Sequence, residues 1–247
     1  ADGYGLVSGY FDKRPWFYSF CIALMHYLSG WRVENAFIVN ACFGAAFIFI
    51  IAACGKQLAG KSGAWIGAVL AASIPLVAQC ATGGGMDMTN VALLALLFLL
   101  TTCYLNSPSD IGEGAVLSAA ILLAYTRYES LLYVIPALLI VGVGWILRGR
   151  AILSLPALIF APLLLPVLLQ NRYFRDSEPL WELRASVQSP FGLEHIAENF
   201  PRALYFLFNL SDTLANSAIV SALGIGSFAL IVVCAPRLLI RQWREHR

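Results

Sequence analysis

The sequence predicts an all-α protein, a polytopic transmembrane helical bundle of about seven spans with interfacial helices beside them. Two observations carry this. Mean hydropathy is +0.76, and charged residues make up 12% of the chain against 60% hydrophobic, where a globular domain carries about 25% charged. The apolar residues also come in long continuous runs, not the alternating ~10-residue segments of a β-barrel, and only helices satisfy the backbone of such runs within lipid. The net charge of +2 discriminates nothing, and no feature calls for nucleic acid. Cys21, Cys42, Cys54, Cys80, Cys103 and Cys234 all lie in or beside apolar runs with no CxxC pair. They read as small buried hydrophobes, not as a disulfide framework or metal site.

Residues 1–14 are polar, with Gly3, Gly5 and Gly9 marking a loop. They end in the charged cluster Asp12-Lys13-Arg14, just before the first apolar run. Such a cluster is either an interfacial anchor or a site for an anionic group. Pro15 suits the first position of a helix. Trp16 to Leu28 is aromatic-rich and short for a span, which fits an interfacial helix. On it His26 reads as a satisfied interfacial side chain in preference to a ligand. Ser29-Gly30 ends the segment.

Span A is expected from Ala36 to Cys54, then a short turn flanked by Lys56 and Lys61. Span B runs from Ala64 to Ala81, kinked at Pro75. Gly83-Gly84-Gly85 follows, with Asp87 beside it. The glycines permit close backbone approach, and no Lys-Ser/Thr follows, so this is not a Walker loop. Asp87 is open to two readings, a site carboxylate or, like Asn90, an N-cap for the next helix. Span C is expected over Val91–Leu105, then a turn over Asn106–Asp110. Span D covers Ala115–Tyr125 and span E Leu131–Leu147. Between them Arg127 and Glu129 interrupt the apolar run, as a charged hairpin or as a functional site.

Arg148-Gly149-Arg150 makes a basic turn. Span F, Ala151–Leu169, holds Pro156, Pro162 and Pro166 and should be irregular, hence shielded by protein or lining a cavity. Residues 170–202 form one long polar loop of mixed charge, with a short amphipathic helix over Gly192–Phe200. Span G covers Leu214–Pro236, and a basic segment follows. The chain has no initiator Met and no signal-peptide pattern. Residues 1–247 are therefore expected to form a single transmembrane domain, a fragment lacking at least one N-terminal span.

Orientation follows the basic residues. Those at span ends in short turns, Lys56, Lys61, Arg148, Arg150, Arg237 and Arg241 among them, belong inside. The remaining cations come mixed with most of the carboxylates. On this topology the Asp12 cluster, Asp87, Arg127 and the 170–202 loop share the extracytoplasmic face.

The stretch YFDKRPWFYSFCIALMHYLSG, from Tyr10 to Gly30, resembles polyprenyl-phosphate-sugar-dependent glycosyltransferases of the GT-C type. These include the protein O-mannosyltransferases and the lipid A aminoarabinose transferases. Asp12-Lys13-Arg14-Pro15, Leu28-Ser29-Gly30, Arg32 and Lys56 fall in the family's order, and the layout continues through Thr126-Arg127-Tyr128-Glu129. The resemblance covers about residues 10 to 150. Arg14 stands where the family commonly has a second proline.

The resemblance implies a GT-C-like fold and an inverting transfer of sugar from a polyprenyl-phosphate donor to an envelope glycan, lipid or protein acceptor. The expected setting is the extracytoplasmic face of a bacterial inner or plasma membrane, among membrane lipids. It implies a phosphate-binding role for Lys13, with Arg127 a second cation for that role. Arg14, Asp87 and Glu129 are further candidate substrate-binding residues. Asp12 matches an acid near the acceptor or a divalent metal, the one cofactor to consider. Asp2 is a poor match to the family's catalytic Asp, which implies a main base upstream of residue 1. The chemistry needs these residue types: a cation for the charge on a leaving phosphate and a carboxylate as general base. The alternative is a transporter or flippase for a lipid-linked or anionic solute, supported by the Pro-broken span F and the glycine turn. A third reading is an assembly protein whose polar loops bind a partner.

Overall fold

A computed structural model describes residues 15–127, 129–149, 153–169, 196, 197, 199–202, 222, 225, 226, 229 and 233. The expectations for residues 1–14, most of the 170–202 loop, most of span G and the basic C-terminal segment fall outside them. Among the described residues there is no strand. Two compact units are distinguished, residues 1–73 with 77–180, and residues 74–76 with 181–247. In the second, residues 196, 197 and 199–202 are helical, within and just past the expected amphipathic segment. The described positions 222, 225, 226, 229 and 233 of span G are helical as well.

In the first unit, α1 is Phe17–Ser29, ended by Gly30 at φ 84°. Pro15 does not take the first helical position: Trp16 is the N-cap, and Pro15 is buried ahead of it. Next, α2 runs Glu34–Ser73 and contains non-helical Ala59 and Gly60, the latter at φ 63°. Spans A and B are thus the two arms of one hairpin, whose turn uses a glycine in a conformation costly for other residues. The arms pack backbone to backbone. A Cβ on Gly55 would overlap the carbonyl of Gly63, and one on Gly63 the carbonyl of Gly55. Small residues allow this approach in membrane helices. The expected break at Pro75 is present: α2 ends at Ser73 and α3, Pro75–Thr82, begins at the proline.

After the glycine turn, α4 spans Asp87–Asn106, beginning four residues before the expected Val91. Ser109 caps α5, Asp110–Ala124, accepting from the Gly112 N–H at 3.1 Å. Then come a 3-10 turn, Glu129–Tyr133, and α6, Val134–Arg148. Span F is irregular as its prolines require: α7, Leu155–Phe160, is followed by a 3-10 turn at Ala161–Leu163.

The centre of the unit is α5. Val116, Ala120 and Leu123 have no exposed surface, and Leu93, Leu97, Val141 and Ala157 from α4, α6 and α7 join them in one core. The opposite faces stay apolar: Phe98, Leu139 and Ile146 are well exposed, as they would be to lipid. Among the described residues, three helical segments, Glu34–Ser73, Asp87–Asn106 and Glu129–Arg148, are long and apolar enough to cross a membrane.

The connections alternate direction. One end of the unit gathers the glycine turn, the start of α4 and the Arg127–Tyr133 connection. The other gathers the α4–α5 turn and the end of α6. At that second end Arg148, in the basic turn, is also a paired cation: its side chain is 10% exposed and pairs with Asp110 at 2.6 Å and with the fully buried Glu113. Glu113 also accepts from Trp145 Nε1 at 3.0 Å and the Ser154 N–H at 2.9 Å. Burial pushes the Glu113 carboxyl up, but the bonds from Ser154, Arg148 and Trp145 outweigh it and hold it below the ordinary range.

Candidate functional site

Asp87 opens α4 directly after the glycines, and Arg127 follows the end of α5. The bundle topology brings these ends together. Arg127 Nη1 donates to Asp87 Oδ1 at 2.8 Å, and its Nε lies 3.5 Å from Glu129 Oε2. The three side chains remain 42–58% exposed, so the group is open to a ligand. Beside it Asn90 Nδ2 donates to Ser130 Oγ at 2.9 Å. Neither Asp87 nor Asn90 caps α4. The N-cap is Met86, with no side-chain cap bond, because both polar side chains turn to the segment after α5.

The start of α1 reaches the same end. The Phe17 N–H donates to the Tyr125 carbonyl at 3.2 Å, two residues before Arg127. The Trp16 ring packs edge-on to Tyr125 with centroids 4.8 Å apart. Tyr18 Oη donates to the Gly84 carbonyl at 3.0 Å. The start of α1 is therefore anchored between the glycine turn and the Arg127 connection. Asp2, Asp12, Lys13 and Arg14 themselves lie outside the described residues, so of the expected site residues Asp87, Arg127 and Glu129 are the ones seen together.

Two site-supporting residues were not singled out in the sequence. Asn40 is fully buried in α2 and donates to the Gly83 and Gly85 carbonyls, each at 2.7 Å. Tyr18 is its partner at 3.1 Å. An asparagine inside a nearly polar-free run is the signal that could have found the first. Tyr18 looks like any interfacial aromatic. His26 is satisfied: Asn35 Nδ2 lies 2.8 Å from its Nδ1, and its ring stacks on Trp31 at 4.8 Å. Among the described residues no three His, Cys, Asp or Glu side chains are grouped to hold a metal ion, and the described cysteines are free.

Three separate segments thus build one polar mouth on an apolar bundle, and comparison with known proteins assigns the bundle. The family described as dolichyl-phosphate-mannose-protein mannosyltransferase matches residues 13–176. The chain belongs to this family. It is an integral membrane glycosyltransferase, of a family that implies polyprenyl-phosphate sugar donors. The match opens on Lys13 and takes in Arg14, Asp87, Arg127 and Glu129. No curated protein and no solved structure matches the chain.

Proposed function

We propose that this glycosyltransferase moves a sugar from a polyprenyl-phosphate carrier to an envelope glycan, lipid or protein acceptor, with inversion, at the extracytoplasmic face of a bacterial inner or plasma membrane. The observation that supports this most is the convergence of the α1 start, the Asp87 turn and the Arg127 connection at one end of the unit. In the proposed step the acceptor oxygen attacks the anomeric carbon. The bond from that carbon to the phosphate oxygen breaks, and the electron pair leaves with the lipid phosphate. A single in-line displacement inverts the centre. The acceptor proton passes to a carboxylate, for which Asp12 is the nearest in sequence to Lys13 and Asp2 a weaker choice.

Lys13 takes the phosphate charge as it develops, helped by Arg14. Arg127 is the second cation. Its two carboxylates hold it in place before the donor arrives, and a phosphate oxygen would compete for the guanidinium face. Asp87 and Glu129 then orient sugar hydroxyls. Asp12 is also the residue we assign to a divalent ion, if chelation abolishes transfer and added metal restores it.

The test is reconstitution in proteoliposomes with a radiolabelled polyprenyl-phosphate sugar, following release of the lipid phosphate. Wild type should release it, and Lys13→Ala should lose about a hundredfold or more while remaining folded in the membrane. Label carried across the bilayer unchanged would replace this reading with transport, and full release by Lys13→Ala would remove Lys13 from the mechanism.

A further inference from the structure

Two side chains take all three carbonyls of the glycine turn. Asn40 Nδ2 donates to Gly83 and Gly85 at 2.7 Å, and Tyr18 Oη to Gly84 at 3.0 Å. The two are joined to each other at 3.1 Å. They come from different helices, α2 and α1, and Asn40 has no exposed surface. Its Oδ1 has no hydrogen-bond partner. The amide's orientation is thus set by the turn, at the cost of an unpaired buried acceptor.

Gly84 and Gly85 are exposed residues, so water could satisfy their carbonyls if they turned outward. Instead the clamp draws them inward. That fixes the backbone entering Asp87, and with it the place where Asp87 meets Arg127.

We infer that Asn40 and Tyr18 are positioning residues for glycosyl transfer, acting through the Gly83–Gly85 turn on the Asp87–Arg127 pair. The inference rests on the reading of Asp87 and Arg127 as part of the transfer site. Neither Asn40 nor Tyr18 need touch the sugar. Their effect is on how well the reacting groups are aligned, and a small misplacement can cost up to about a hundredfold in rate.

The experiment compares Tyr18→Phe, Asn40→Leu, Asp87→Asn and the double variant Tyr18→Phe/Asp87→Asn in proteoliposomes, measuring kcat and donor KM. Tyr18→Phe keeps the ring and removes both hydroxyl bonds, so it is informative even where Asn40→Leu does not fold. Expected are a kcat about tenfold lower in Tyr18→Phe, a donor KM within about twofold of wild type, and a double variant no slower than Asp87→Asn alone. Losses that multiply in the double variant would show that Tyr18 acts elsewhere and overturn the inference, as would an unchanged Tyr18→Phe. An Asp87→Asn enzyme with full activity would remove the site reading itself, and the inference with it.

Discussion

Arg127 and Asp87 lie forty residues apart in the chain, and their side chains meet at 2.8 Å on the rim of an otherwise apolar bundle. Both are about half exposed. An exposed ion pair contributes about 0–1 kcal/mol to stability, so stability gives little reason for it. Arg127→Ala should therefore shift unfolding in detergent by no more than about 1 kcal/mol, while transfer falls about tenfold or more. A large loss of stability with transfer per folded molecule intact would make the pair a structural hairpin and nothing else.

Arg148 and Glu113 make the opposite case. Here the carboxylate is fully buried and the guanidinium nearly so. Arg148→Ala strands the buried Glu113 carboxylate and should cost about 3–5 kcal/mol, lowering the unfolding midpoint sharply. Glu113→Gln leaves Arg148 its bond to Asp110 and should lower the midpoint by less. This cluster lies at the other end of the unit from Arg127, so the residual folded fraction should transfer sugar at close to the normal rate per molecule. A purified, folded Glu113→Gln protein with no transfer would place this end in the mechanism.

The depressed Glu113 carboxyl also fixes the sign of a pH effect. A group held lower in the folded state than in the unfolded one contributes stability above its unfolded value, about 4.3 for Glu. That contribution disappears as pH falls through the folded value. Thermal unfolding across an acid series should therefore show a loss of stability below about pH 4.3 that is smaller in Glu113→Gln. Identical acid slopes in the two proteins would contradict it.

How far this was legible in the sequence depends on the kind of interaction. The membrane class, the α2 hairpin, the Pro75 break and the irregular segment around Pro162 follow from hydropathy and from glycine and proline, which act locally. Asp87, Arg127 and Glu129 were legible as charges out of place in apolar sequence. That Asp87 pairs with Arg127 instead of capping α4 was not, because a first-turn acid looks the same in either role. The buried partner of Arg148 was hidden for a similar reason. A cation at a span end reads as a topology signal, and nothing local tells that Glu113, on another helix, is buried beneath it. Asn40 went unremarked because its partners are backbone carbonyls, which no sequence pattern displays.

Close backbone contact in α2 sets two glycines of the bundle against each other. A Cβ on Gly63 would overlap the Gly55 carbonyl in the facing arm, and backbone cannot swing aside as a side chain can. Gly63→Ala must push the arms apart, and overpacking of this kind costs about 1–3 kcal/mol. Gly142 in α6 is helical too, but a Cβ there meets nothing within 4 Å. Gly142→Ala gains the helix propensity that glycine forgoes, about 0.5–1 kcal/mol, without a clash. Thermal unfolding of the two variants in the same detergent should move in opposite directions. A Gly63→Ala protein as stable as wild type would mean that the arms of α2 do not pack as closely as Gly55 and Gly63 imply.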